Sequence, residues 1–410
     1  MYLGNACTIG RVSYDFEPTP SAAADRLELL DPREYAHSRN HLNGAVSGLS
    51  PYLTHGFLSV PDVASVMYHR HRLGVQHRFI FELGWREYFQ HLHQHLGTQG
   101  LSQSFNAGLL PDEAYSQELP PDLRAGCTGV PVVDNAVRLL YETGYLHNHA
   151  RLWLASYVVH MRKVHWWVGA TWMYGHLLDG DLASNSLSWQ WVAGTLGEKP
   201  YLFNAESVEQ FAPESWFSRG TAIDTSYEVL DILANNPATV SQSETSEFIW
   251  TEPELLSKPL PEHQLGWPSA LAVEGREVWL VHPWHLGDLP EDVPAHVLPV
   301  AVMWREHLET HPWSLKRWNF VTQRMHQLTD VCWFGTEFEI EQALSRAAAV
   351  HGVAHLRLPE IKTAPMQLRP APRLFRDVDK PQNSFSKWWV QVNRNVRHLQ
   401  QLVYPIARRV

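Results

Sequence analysis

The stretch from Thr143 to Trp191 constrains this chain more than any other. It opens Thr143-Gly144-Tyr145-Leu146-His147-Asn148-His149-Ala150-Arg151 and closes Asp179-Gly180-Asp181-Leu182-Ala183-Ser184-Asn185-Ser186-Leu187-Ser188-Trp189-Gln190-Trp191. Between these ends lies a run dense in aromatic residues, Trp153 to Tyr174. An apolar run of that length reads as a pair of buried helices. Yet it carries Arg151, Asp179, Asp181 and Asn185 beside His147, His149 and several tryptophans. Charged groups are seldom left in apolar surroundings without a partner, because desolvating them is costly. These either pair with one another or face a polar ligand. A large planar cofactor with an electroactive ring would satisfy both the charges and the rings.

Composition narrows the setting. With 410 residues, 44% hydrophobic and 19% charged, the chain is long enough for two domains and reads as folded. The cysteines, Cys7, Cys127 and Cys332, are widely spaced, which fits a reducing cytosol and excludes a four-cysteine iron–sulfur cluster within this chain. No uninterrupted apolar run is long enough to span a bilayer, and Met1 to Cys7 lacks the basic-then-apolar order of a signal peptide. A cytoplasmic protein without a membrane partner is therefore expected. The net charge of −10 argues against a strongly cationic nucleic-acid binder and leaves room for a local basic face. The 24 histidines lack a tight ligand spacing such as H-E-x-x-H, so no metal site is expected. The 18 tryptophans are either apolar bulk for a helical core or rings that conduct electrons or stack on bases.

Along the chain, residues 1–30 read as an extended arm, and Asp31-Pro32 as the capped start of a helix. Gly44 to Ser50 is a loop of small residues. Val63, Val66 and Met67, then Phe79, Phe81, Leu83, Tyr88, Phe89 and Leu92, have helical spacing. Residues 103–128 read as a surface excursion, helical patterns run from Val132 to about residue 195, and no strand pattern stands out before residue 240. After a Pro- and Ser/Thr/Glu-rich linker the pattern changes. Glu277–His282 and Val297–Met303 are short apolar runs. A helix from Trp313 to Leu328 leads to Asp330–Gly335, and another from Glu337 to His351 leads to Val353–Pro359. Strands alternating with helices indicate a small parallel sheet, here without G-x-G-x-x-G. The expected organisation is a mainly α domain at 1–235, a linker at 236–271 and a smaller α/β domain at 272–400.

Six segments together resemble the photolyase/cryptochrome family, flavoproteins that repair UV-damaged DNA or sense blue light. They are Tyr35 with Arg39-Asn40, Val46 to Leu53, Glu82 to Phe89, Thr128 to Asp134, Thr143 to Arg151, and Asp179 to Trp191. The resemblance implies a helical FAD-binding domain of photolyase type. In the family an α/β antenna domain comes first; here the helical part leads. Val278–Val281 would be the first strand of a reduced, permuted α/β domain, and Asn383 to Trp389 resembles the Phe-Thr-Pro-Phe-type segment near its end. The antenna chromophore is left unassigned.

The resemblance also distributes roles. Tyr35, Ser47, Gly48, Leu49 and Ser50 would serve the cofactor's phosphate side, with Val46 standing where the family has Thr. Arg151, Asp179, Gly180 and Asp181 would line its ring and ribose, and Asn185 would face the flavin N5, where an amide can either accept or donate. Trp189 and Trp166 match the proximal and middle members of an electron-transfer chain. The distal position falls near Glu113, with Tyr115, Trp167 and Trp172 as substitutes at hand. Read without the family, these are a turn, a structural ion pair, a helix cap and core tryptophans. Glu82, Trp85, Asn148 and Trp191 match the pocket for a cyclobutane pyrimidine dimer, with Trp85 and Trp191 as stacking surfaces and Glu82 bonding the dimer carbonyls. Asn148 and Leu152 disfavour repair of (6-4) products. His149 replaces an Arg that contacts DNA phosphate, and Leu152 replaces a pocket Met.

Two functions follow. The first is light-driven repair of pyrimidine dimers, with UV-damaged DNA as partner and Glu82, Asn185, Trp189 and Trp166 as working residues. The second is a cryptochrome-like light or redox sensor that binds FAD, does not repair DNA and acts through a protein partner. The retained pocket favours the first; the acidic charge and the missing Arg favour the second.

Overall fold

The computed structural model describes residues 8–9, 12–197, 199–240 and 250–407. The chain forms two compact units, one of residues 1–15, 33–48 and 96–254, the other of 16–32, 49–95 and 255–410. Residues 49–95 thus group with the sheet-bearing part of the chain. The helices that carry the residues of interest are α1 (Arg78–Gly100), α2 (Pro131–Thr143), α3 (Asn148–Ser156), α4 (Trp166–His176), α5 (Leu182–Ala193), α6 (Leu315–Leu328), α7 (Glu337–Leu344) and α8 (Phe385–Val392). The strands of the main sheet are β1 (Glu277–Val281), β2 (Leu298–Trp304), β3 (Cys332–Gly335), β4 (Ala349–Val353) and β5 (Met366–Arg369). α1 breaks its helical path at Gly97, next to the point where the chain passes from one unit to the other.

In the first unit, α2 starts on Pro131, a residue suited to the first helical position, and buries Val132, Val133, Ala136, Val137, Leu139 and Leu140. It stops at Gly144, whose φ of 70° suits glycine. The Gly144 carbonyl then accepts the Leu178 N–H at 2.7 Å, which lays residues 143–151 beside residues 176–181. α3 runs into a π-helical turn, Tyr157–Met161. Beyond it the buried Lys163 ammonium donates to the carbonyls of His160, Leu233 and Ala234, and burial lowers its pKa to about 8. α4 and α5 are apolar on most sides and pack together, as fully enclosed helices must. Their approach needs Gly169, because a Cβ there would lie 2.3 Å from the Trp189 ring.

In the second unit the five strands are all parallel, in the order β3-β2-β1-β4-β5. Val278, Leu280, Val300, Val302 and Val350 pack with Ile340 and Leu344 of α7 in one core. Strand order reverses between β1 and β4, the switch point at whose carboxyl ends open parallel sheets bind ligands. In this chain His282, Trp284 and His355 occupy those ends. The His282 Nε2–H donates to the Val353 carbonyl, and Trp284 stacks on His355 at 5.0 Å. Further along, a cleft of about 620 Å³ opens between Ala354–Leu356 and Arg373–Asp377.

A mainly helical domain and a smaller parallel α/β domain are both present, and five local expectations are corrected. The arm at 1–30 contains a helix, Pro20–Leu29, with Thr19 as its cap and Pro20 at its first position; residues 1–7 and 10–11 lie outside the described residues. Two two-residue strands, Thr8–Ile9 and Val12–Ser13, pair before residue 240. The helix expected to reach His351 ends at Leu344. Ala349–Val353 becomes β4 because pairing to β1 outweighs the helix preference of the alanines. Within the expected linker, Leu255–Leu256 pairs with Trp313–Ser314 and Ala270–Val273 is helical, while residues 241–249 lie outside the described residues. The first of these pairings also delays the helix expected from Trp313 until Leu315, where Ser314 caps it.

Candidate functional site

The turn at Gly144 brings Arg151 to Asp179. Arg151 Nη2 donates to both Asp179 oxygens, at 2.9 and 2.7 Å, and its Nε donates to the Leu146 carbonyl at 2.9 Å. The carboxylate is buried, whereas 24% of the Arg151 side chain remains exposed. The pair therefore satisfies its anion inside the protein and leaves part of its cation accessible. Asp181 caps α5 by accepting the Ser184 N–H at 2.8 Å. One position beyond Ser184, the half-buried Asn185 donates Nδ2–H to the Ala170 carbonyl of α4 at 2.8 Å. That bond fixes the amide, and its Oδ1 takes no hydrogen bond from the described residues. Among the described residues the buried hydroxyls of Thr171 and Ser184 also lack partners. Buried polar groups are nearly always satisfied, so these two hydroxyls are open to a ligand's polar atoms.

The loop read as the phosphate side is closed locally. The Tyr35 carbonyl accepts the Arg39 N–H, and the Ser38 hydroxyl accepts the Ala45 N–H at 2.9 Å. Ser47 and Gly48, with φ of 60° at Gly48, belong to the first unit; Leu49 and Ser50 belong to the second, at the start of the short helix Ser50–Thr54. Gly180 forms a turn, its N–H bonded to the Leu177 carbonyl.

Three tryptophans of the first unit, Trp189, Trp166 and Trp167, lie on or against α4. Trp189 is buried on Gly169, and Trp166, three residues before that glycine on α4, is buried with its Nε1–H on Ser104 Oγ at 2.9 Å. Trp167 lies 5.5 Å from Trp166 and is half-buried. Tyr115 has its ring 6.3 Å from His165, and Trp172 packs on Tyr141 and His176. Of the three possible distal residues, only Trp167 has its ring on Trp166.

The substrate residues divide between the units. In the first, Asn148 is exposed at the start of α3, and Trp191 is 39% exposed and packs on Tyr201. His149 has other partners than a phosphate. Its Nδ1–H donates to the Asn40 carbonyl at 2.6 Å, its ring stacks on Trp153, and burial lowers its pKa. In the second unit, Glu82 lies 3.9 Å from Arg78, one turn earlier on α1. The half-buried Trp85 has Phe385 of α8 stacked on it. Sequence reasoning passed over two residues here. One is Phe385, which its position some 300 residues away conceals. The other is Glu87, buried and accepting the N–H groups of Leu374 and Phe375 at 2.6 and 3.0 Å, with burial pushing its pKa up to about 7. Its signal was available: an acid five residues after Glu82 lies on a different face of the helix.

Among the described residues, no cluster of three or more histidine, cysteine or acidic side chains is placed to hold a metal, and no helix is long and apolar enough to cross a membrane.

Residues 79–219 match the family model described as the FAD binding domain of DNA photolyase. A deoxyribodipyrimidine photo-lyase of Vibrio cholerae is 35% identical over 182 residues, covering 42% of this chain and 39% of that protein. A cryptochrome DASH of Idiomarina loihiensis is 31% identical over 233 residues, covering 53% of this chain and 52% of that one. The chain thus spans about half or less of the length of these relatives. Among solved structures, a class III photolyase of Agrobacterium tumefaciens matches with a TM-score of 0.43 at 25% identity, covering 56% of this chain and 53% of that one. The helical part is a flavin-binding domain of photolyase type. These matches are to the photolyase/cryptochrome family, and the cofactor they indicate is FAD.

The residues present fit that cofactor. A flavin edge alternates carbonyl oxygens with ring nitrogens. The partly exposed Arg151 side chain, the fixed Asn185 amide and the unsatisfied Ser184 and Thr171 hydroxyls offer the matching mixture of donors and acceptors.

Proposed function

We propose that this protein repairs cyclobutane pyrimidine dimers in DNA under blue light. When bound and reduced, light-excited FAD supplies the electron that opens the dimer and receives it back. The chain's own residues bind and orient. Arg151, held by Asp179, keeps a fixed positive group at the cofactor, and the Asn185 amide, pinned on Ala170, keeps its orientation as the protonation of the ring changes. In the first unit Trp191 is a stacking surface for an extruded base and Asn148 a polar contact to it; in the second, Trp85 is a stacking surface and Glu82 an acceptor for a base N–H group. The observation that carries the reading is Trp191. A large indole 39% exposed, in the same unit as an exposed Asn148, suits base stacking better than core packing.

One observation favours the sensor reading. The His149 ring is committed to Asn40 and Trp153, and its lowered pKa leaves it neutral at pH 7, so it supplies no phosphate charge. The deciding experiment is repair of a dimer-containing oligothymidine by the purified, reduced protein in blue light and in darkness. Light-dependent repair that is lost in Trp191→Ala and Glu82→Ala establishes the repair reading. FAD binding with no repair in light retires it and leaves the sensor.

A further inference from the structure

The second unit shows why Trp85 stands as it does. α1 is seamed along its length to a segment near the C-terminus. Glu87 accepts the N–H groups of Leu374 and Phe375, the Tyr88 hydroxyl donates to the Gln382 carbonyl at 2.9 Å, and His95 Nε2–H donates to the Val378 carbonyl at 3.0 Å. α8 then packs its aromatic face on α1. Trp389 lies against Gly84, where a Cβ would be 2.4 Å from the ring, and 5.1 Å from Phe81. Phe385, 4% exposed, stacks on Trp85 with ring centroids 4.0 Å apart and planes 10° from parallel. Tyr88 and Phe89 meet the same indole edge-on or tilted, at 5.8 and 5.5 Å. One face of Trp85 is therefore covered and its orientation fixed, while part of the ring remains open.

We infer that Phe385 is a positioning residue for Trp85. It backs one face of the indole, so that a base can stack only on the other, in an orientation set before the base arrives. This rests on the reading of Trp85 as a stacking surface. It gives the C-terminal helix a part in substrate recognition that its place in the α/β half of the chain does not announce. Parallel stacking resists rotation of the indole about its side-chain torsions, which edge contacts alone do less well. Pre-organising the ring lowers the ordering cost of binding, so its loss weakens affinity more than turnover at saturation.

The test has two readouts. The first needs no DNA. In protein labelled with 5-fluorotryptophan, the Trp85 fluorine resonance is identified by its absence in Trp85→Phe. Wild type should show one narrow line, Phe385→Leu a broadened or doubled one, and Trp389→Phe, which alters the same helix contact without touching Trp85, the wild-type line. The second readout is binding and repair of dimer-containing oligothymidine. Phe385→Leu should bind about tenfold more weakly with turnover at saturating DNA within about twofold of wild type. An unchanged Trp85 line in Phe385→Leu overturns the inference, as does equal weakening in Trp389→Phe, which would mark a merely structural contact. Undiminished binding in Trp85→Ala overturns the stacking role and this inference together. Weakened binding in Trp85→Ala with full binding in Phe385→Leu overturns the inference alone.

Discussion

The Arg151–Asn185 group of the helical unit and the carboxyl end of the sheet both gather cationic and aromatic side chains, and they treat them in opposite ways. Around Arg151 the polar groups are fixed but not exhausted. Part of the Arg151 side chain is exposed, and among the described residues the Asn185 amide is held by one end only and the Ser184 and Thr171 hydroxyls have no partner. At the sheet end the rings close on one another. Trp284 stacks on His355 and lies near parallel to Trp304, and His282 has both nitrogens engaged, one donating to Val353 and one accepting from the Trp284 N–H. The location alone, a topological switch point, would have favoured the sheet end as the ligand site. Unsatisfied buried groups occur in both units, Trp304 Nε1, Trp313 Nε1 and His307 Nε2 among those near the sheet end, and it is the family match, residues 79–219, that falls mostly in the helical unit.

The largest expected effect breaks this comparison at its strong side. Arg151→Ala leaves the buried Asp179 carboxylate without its cation, a loss of about 3–5 kcal/mol for a buried pair, and removes the fixed charge at the cofactor. Purified Arg151→Ala should carry little or no FAD by absorbance, whereas Trp284→Ala should melt earlier, by a comparable core-truncation cost of about 3–5 kcal/mol, with its FAD per folded chain intact. Full flavin content in Arg151→Ala, or flavin loss in Trp284→Ala well below its melting temperature, would reverse the assignment of the two regions.

Much of this was legible in the sequence because it is local. The Asp179-Gly180-Asp181 turn, the Asn185 position and the Trp166-Trp167 pair lie within one continuous stretch. The parallel strands could be read from their apolar runs. What was not legible depends on distant partners. Nothing near Trp85 announces Phe385, and nothing near His149 announces that Asn40 and Trp153 take up its ring. The helix Pro20–Leu29 was missed although Thr19-Pro20 repeats the cue read at Asp31-Pro32, because only Ala23 and Leu27 of it are buried and its apolar periodicity is faint. The end of α7 was misplaced because sheet pairing, a non-local term, decides the fate of Ala349.

Acid tests what the two regions share. Burial lowers the pKa of His282 in the sheet unit to about 3, and that of His147 in the helical unit also to about 3. Both fold neutral, and the unfolded chain takes up the proton first. Their contribution is complete above about pH 6.5 and is lost as pH falls toward 3, on the order of 2 kcal/mol for each by pH 5. Glu87 works in the opposite sense: with its pKa raised to about 7, its burial costs stability as pH rises from about 4.5 to 7. Net acid lability is expected, with flavin release and loss of far-UV circular dichroism coinciding between pH 6.5 and 4. Flavin released while the dichroism is intact would mean that the Arg151 region titrates on its own.

The smallest expected effect follows from the way each region arranges its tryptophans. In the sheet unit Trp304, Trp313 and Trp318 are closed in the core, and Trp284 stacks among its neighbours. In the helical unit Trp189 and Trp166 are buried while Trp167, in contact with Trp166, reaches the half-exposed surface. Such a series can bring an electron from an external thiol inward, where a closed cluster cannot. Tyr115 is a poorer entry because His165 stands between it and Trp166, and Trp172 lies on a different set of neighbours. Photoreduction of the bound flavin in the presence of a thiol should slow about tenfold in Trp167→Phe, equivalent to about 1.4 kcal/mol of barrier, with flavin content unchanged. Tyr115→Phe and Trp172→Phe should stay within about twofold of wild type, and Trp166→Phe should be slower than Trp167→Phe. Slow photoreduction in Trp166→Phe with a normal rate in Trp167→Phe would keep the inner part of the series and move its exit elsewhere. Normal rates in both would show that the tryptophans of the helical unit, like those of the sheet unit, serve packing alone.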